Sequence, residues 1–263
     1  MSRIFTIMSG KGGVGKSTLA SALALYYARH GVKCALLDGD VGLRCADMML
    51  GMQDSVVFDL SDLCNDGCTL EQALIPCPAE PNLTLLAAPQ LMKASEFKAK
   101  EIAAVVRRIA KTRDIILLDA PAGVGRGLKN LLGADSTPVI VATPDEVCVR
   151  DAERLGMLLT DRGEMHPGIV FNRVSRELVR KGVMLPPKAL AEALDMPLMG
   201  ILPESPAIYR ALLQHRSPLD CGDPQVAEAF ENIASRLLGA DVPLPEYRVS
   251  ALLRFFSKGG NRA

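Results

Sequence analysis

The chain has 263 residues, 49% of them apolar, and its 30 basic and 30 acidic side chains cancel. That length suits one large α/β domain with a substantial core, and balanced charge gives no global footprint for a nucleic-acid partner, so none is expected. No apolar run approaches the roughly 18 residues of a membrane-spanning helix. The first eight residues are too short, and too soon followed by glycines, to read as a signal peptide. The expected location is the cytoplasm, with the seven cysteines as reduced thiols. Cys64 and Cys68 form a lone CxxxC. A closed metal site usually needs about four ligands, so the cysteines are read as small buried hydrophobes.

In chain order, apolar runs predict strands at 3–8, 33–37, 83–87, 114–118, 138–142, 168–171 and 198–202. Several are apolar nearly throughout, which suits strands covered on both faces. Between them, helical patterns occupy 16–29, 99–111, 145–162, 187–193 and 224–238. This alternation predicts right-handed crossovers and a doubly wound, mostly parallel sheet flanked by helices. The organisation expected is one α/β domain over 1–239, a linker with two prolines over 240–246, and a tail over 247–263.

The segment Gly10, Lys11, Gly12, Gly13, Val14, Gly15, Lys16, Ser17, Thr18 satisfies GxxxxGK followed by Ser or Thr. It lies directly after a predicted strand and before a predicted helix, the context a phosphate loop requires. Its glycines let backbone amides surround phosphate oxygens, Lys16 supplies charge at the β and γ phosphates, and Ser17 offers a hydroxyl to Mg²⁺. The helix that follows presents its positive end. Asp38 and Asp40 end the second strand, and Asp119 ends the run 114–118. Carboxyl ends of parallel strands are where open α/β sheets bind ligands, and an acid there fits a site beside Mg²⁺. Such acids also serve as helix caps. Asn172, followed by Arg173, ends the sixth strand, and Pro203 and Glu204 follow the seventh; a strand-end asparagine can read an adenine edge through its paired donor and acceptor.

In the tail, Val249, Leu252, Leu253 and Phe256 recur at i, i+3, i+4 and i+7, with Phe255 at the margin of the stripe. Arg248, Arg254 and Lys258 flank it. A basic flank with an aromatic and leucine stripe is the pattern of an interfacial membrane helix; a helix docked on its own domain shows the same stripe.

Taken together, SGKGGVGKST at 9–18, LDGDVGLRCAD at 37–47, LLDAPAG at 117–123, TPDEVCVRDAERL at 143–155, FNRV at 171–174, GILPES at 200–205 and the basic tail resemble the MinD/ParA family of deviant Walker A ATPases. Within it, the GLR segment and the tail resemble the MinD-type, cell-division-site branch. The resemblance implies ATP and Mg²⁺ as ligands. It implies a homodimer formed on ATP binding, with Lys11 reaching the partner's nucleotide. It gives Asp40 the attacking water, Asp38 and Asp119 the Mg²⁺ site with Ser17, and Asn172 the adenine. Arg44, Asp47 and Asp151 would lie on a partner surface for a MinC-type division inhibitor and a MinE-type or other topological factor. In the ATP state the tail would lie on the inner face of the cytoplasmic membrane. Cys45 and Ala46 stand where the family usually shows Asn and Leu, and Ser17 replaces the commoner threonine. Alternatives are a flagellar-number ATPase of FlhG type and a DNA-partitioning ATPase of ParA type.

Overall fold

The computed structural model describes residues 2–41, 44–90, 97–132, 135–161, 163 and 167–248. In chain order the elements are β1 (Arg3–Met8), α1 (Lys16–Arg29), β2 (Cys34–Asp38), three short helices α2 (Ala46–Met49), α3 (Leu60–Cys64) and α4 (Leu70–Ala73), then β3 (Ile75–Cys77), β4 (Glu80–Leu86), α5 (Ala99–Ile109), β5 (Ile115–Asp119), α6 (Arg126–Leu131) and β6 (Thr137–Ala142). There follow α7 (Glu146–Asp161), β7 (Gly168–Val174), α8 (Arg176–Arg180), α9 (Pro187–Ala193), β8 (Leu198–Pro203), α10 (Pro206–Leu213) and α11 (Pro224–Leu237). The strands form one sheet in the order β3-β4-β2-β5-β1-β6-β7-β8, parallel except for β3, which pairs antiparallel with β4. This is the doubly wound architecture expected.

Side-chain alternation divides the core in two. Leu36, Leu117, Ile7, Val139, Val141 and Val170 face one side, where α1 and α11 contribute Leu19, Leu23, Tyr27, Phe230 and Ile233. Leu37, Leu118, Met8, Ile140, Ile169 and Phe171 face the other, against Ile102, Val106 and Ile109 of α5 and Leu155 of α7. The central strands β2 and β5 are buried at every residue, which explains why they read as continuous apolar runs. Across the first face, Tyr27 Oη donates to Ala234 O at 2.9 Å and ties α1 to α11.

The register places the functional ends. Asp119 of β5 lies beside Ile7 of β1 and Asp38 of β2, so the loop after β1 emerges on one side of two adjacent acid-bearing strand ends, β5 and then β2. Three features differ from expectation. β3 is an added edge strand of three residues, and a turn from it starts β4 at Glu80 instead of 83. Short helices fill the stretch 46–73. The proline stretch is seated on the domain: Arg236 donates from Nε to Val242 O at 2.9 Å, from Nη2 to Pro243 O at 2.6 Å and from Nη1 to Met199 O at 3.2 Å. Further on, the Arg176 guanidinium stacks 4.8 Å from the centre of the Tyr247 ring, a cation–π contact. Burial pushes the Tyr247 phenol above its ordinary pKa. The predicted tail residues Val249, Leu252, Leu253, Phe255 and Phe256 lie outside the described residues.

Gly200 shows how tightly β8 meets α11. A Cβ there would lie 2.1 Å from Ile233 Cγ1. Gly200→Ala should therefore cost about 1–3 kcal/mol by overpacking. With Ile233→Ala in the background the added cost should shrink, a coupling measurable in a double-mutant unfolding cycle. Additive losses would show that the contact is not what limits residue 200.

Candidate functional site

The phosphate loop is shaped by glycine where nothing else fits. Gly13 and Gly15 have φ of 79° and 97°, left-handed values that side chains resist. Gly15 caps α1 without a side chain, and its carbonyl accepts from Leu19 N at 2.9 Å. At the loop's start, a Cβ on Gly10 would lie 2.5 Å from Asp151 Cβ, so α7 packs directly on the loop. The entry is braced from two sides, since Ser9 Oγ donates to Lys11 O at 2.9 Å and Gly123 N donates to Ser9 O at 2.8 Å.

Lys16 turns inward. Its ammonium donates to Asp119 Oδ1 at 2.7 Å and to Ser17 Oγ at 3.2 Å, and sits 3.7 Å from Asp40 Oδ2. Lys16 is 6% exposed and Asp119 fully buried. The other Asp119 oxygen, Oδ2, is buried and accepts no hydrogen bond. A buried carboxylate oxygen without a donor is costly unless a cation can reach it. Burial raises the Asp119 pKa, and the Lys16 charge opposes that rise. Burial first, then the neighbouring Asp119, pushes the Asp38 carboxyl up to about 7, against the pull of its two backbone donors. Two acids crowded in this way fit a divalent cation, which would hold both in the charged form. Among the described residues no group of three or more His, Cys, Asp or Glu side chains could hold a metal alone. Mg²⁺ typically takes only one or two protein carboxylates and completes its shell with phosphate and water.

Asp38 occupies the site differently from the expectation that it serves the metal. Oδ1 accepts from Asp40 N at 2.9 Å and Oδ2 from Ala46 N at 3.1 Å. Both oxygens thus organise the loop that carries Asp40, and the first contact is an Asx turn, a signal already present in Asp-Gly-Asp. A Cβ at Gly39 would meet Leu131 Cδ1 at 2.6 Å and Asp119 O at 3.0 Å, so a side chain there would press on both. Cys45 adjoins the same acids; burial, then Asp38, Asp40 and Asp119, raise its thiol pKa. The sequence marked Cys45 only as a departure from a family pattern.

The structure does not gather every predicted residue. Arg44 and Asp47, expected on a partner surface, pair with each other at 2.6 Å, and Asp47 is buried. Asp47 Oδ1 also accepts from Met48 N at 2.8 Å, so Asp47 serves the local structure from a buried position, with Arg44 half-buried beside it. Lys11 is exposed; burial raises the Asp145 carboxyl, but its hydrogen bonds with Thr143 and Cys148, and then the Lys11 charge, together hold it below its ordinary range. Asn172 lies against the phosphate loop, donating from Nδ2 to Val14 O at 2.8 Å. Glu204 is exposed beside Pro203, and its amide donates to Val174 O at 3.1 Å.

The comparisons with known proteins agree with this geometry. A family model described as "ParA: NUBPL iron-transfer P-loop NTPase" matches residues 1–238. The septum site-determining protein MinD of Helicobacter pylori is 34% identical, with 98% of this chain and 100% of the relative covered. MinD of Bacillus subtilis is 32% identical, with 93% and 92% covered. Among solved structures, the MinC:MinD cell division protein complex of Aquifex aeolicus superposes with a TM-score of 0.85 at 30% identity, covering 94% of this chain and 100% of that one. MinD of Pyrococcus horikoshii, complexed with Mg-ADP, gives 0.80 at 26% identity, covering 92% and 100%. With its phosphate loop, its strand-end acids and this nearly complete overlap, the chain belongs to the MinD family of septum-site-determining P-loop ATPases.

Proposed function

We propose that the protein is an ATP-driven membrane switch that positions the cell-division site, and that two copies assemble around Mg-ATP. The observation that carries this reading is the buried Lys16–Asp119 pair with its unpartnered Asp119 Oδ2, set beneath a phosphate loop. The Mg-ADP held by the Pyrococcus relative supports the ligand, and the Aquifex MinC:MinD complex supports a MinC-type partner.

In this mechanism Lys16 exchanges Asp119 for phosphate oxygens, so its charge is neutralised before and after binding. Ser17 Oγ and Asp119 would hold Mg²⁺, with Asp38 in support, and the ion would supply neutralising charge at the phosphates. Asp40, 14% exposed and tethered through its amide to Asp38, orients the attacking water. Lys11 is exposed at the loop's start and reaches the partner's nucleotide. The tail from 247 onward binds lipid through Val249, Leu252, Leu253, Phe255 and Phe256. One short helix binds weakly, whereas two joined in a dimer gain about 10²-fold or more in avidity. Hydrolysis separates the copies and releases them.

Lys16→Ala should abolish ATP binding and dimerisation together. Asp40→Ala should keep both while turnover falls by about 10²-fold or more; ATP affinity retained in the first, or wild-type turnover in the second, contradicts these roles. Phe256→Glu should abolish ATP-dependent sedimentation with anionic liposomes while leaving ATP affinity intact, because burial of an apolar side chain worth about 1.5–3 kcal/mol is replaced by a charge. Liposome binding independent of nucleotide would sink the switch. The raised Asp38 pKa has a definite sign. Below about pH 7 the ligand-free native state retains a proton that the unfolded chain has released, so this group lowers stability as pH rises from about 4 to about 7, with no further loss above. Asp38→Asn should remove that slope in urea unfolding measured against pH; an unchanged slope refutes the assignment.

A further inference from the structure

A phosphate loop can grip an anion only if its amides point inward. A trans peptide unit sets its C=O and N–H on opposite sides. Each inward amide therefore belongs to a peptide whose carbonyl points outward, and that carbonyl needs a donor of its own. Two consecutive residues at the end of β7 supply such donors. Asn172 Nδ2 donates to Val14 O at 2.8 Å, and Arg173 Nη2 donates to Gly13 O at 3.1 Å. The asparagine amide is itself fixed, because Arg173 N donates to Oδ1 at 2.8 Å and the residue is only 8% exposed. Arg173 has a φ of 56°, a left-handed conformation that costs energy for such a residue. The fit leaves no slack, since a Cβ on Gly15 would lie 2.2 Å from Asn172 Nδ2.

We infer that Asn172 and Arg173 are positioning residues of the phosphate cradle: by holding the carbonyls of Val14 and Gly13 they aim the amides of Gly15 and Val14 at the ligand. The inference rests on the proposed nucleotide site and deepens it. It also alters the part expected of Asn172, whose amide engages backbone at both its oxygen and its nitrogen. A residue that reads adenine affects only ligands with a base. A residue that aims loop amides affects every ligand with phosphates.

The test compares Mg-ATP with magnesium tripolyphosphate, which has no base, by calorimetric titration. Asn172→Ala removes the side chain, and Asn172→Leu removes the donor while keeping the buried volume. Both variants should weaken both ligands by the same factor, about tenfold for one lost hydrogen bond, with the ligand-free melting temperature close to wild type. Arg173→Ala should weaken tripolyphosphate as well. A loss confined to ATP overturns this role alone and returns Asn172 to the base. Unchanged affinity for both ligands also overturns it. A wild-type protein that binds neither ligand overturns the nucleotide site and this role together.

Discussion

Lys16 and Asp119 meet at 2.7 Å, with Asp119 fully buried and Lys16 nearly so. The rest of the site is arranged around that contact. A buried ion pair is poor evidence of stability, since desolvation offsets most of the attraction, yet removing one partner leaves an uncompensated charge and costs about 3–5 kcal/mol. Here the pair is incomplete by one carboxylate oxygen. Lys16 is thus held at the floor of the loop by an acid that also has a vacant coordination direction. Sheet order makes this possible: β1 lies directly beside β5, and β5 directly beside β2. Three strand ends then deliver a loop, an acid and an acid-bearing turn to one place.

The loop and the acids divide the work by chemistry. Carboxylates with spare lone pairs serve cations, and of the two buried acids Asp119 is the one with an oxygen that accepts no hydrogen bond. Asp38 uses both oxygens on backbone amides, so its contribution is to hold Asp40 and the start of α2. The same distinction applies at the end of β7, where the Asn172 amide makes its hydrogen bonds to backbone.

Much of this was legible in the sequence, for identifiable reasons. β2 and β5 are buried on both faces, so uninterrupted runs such as Ile115 to Leu118 could be nothing else. The phosphate loop was legible because its spacing admits few other uses. β3 was not, since three residues with a central proline carry no period. Helices α3 and α4 did leave a signal in their capping boxes, Asp59 with Asp62 and Thr69 with Gln72. The burial of Asp47 was not legible, because charge reads as surface and only the folded chain shows Asp47 buried beside a half-buried Arg44. The acceptor of the Asn172 amide nitrogen, Val14 O, is 158 residues away in sequence, beyond any local pattern.

The seated proline stretch matters for how the sheet meets other molecules. An unpaired strand at a sheet edge is a template for another chain. At one edge, β3 carries Pro76 at its centre and slips register at Pro76/Cys77, so a further strand would lack a donor and an even ladder. At the other, the carbonyl of Met199 is occupied by Arg236, the same arginine that grips Val242 and Pro243, and the strand ends on Pro203, which has no amide hydrogen. Fibre-like growth by strand addition is thus discouraged at both ends. That leaves contact through loops and helices, not strand pairing, as the mode by which this sheet can meet another molecule.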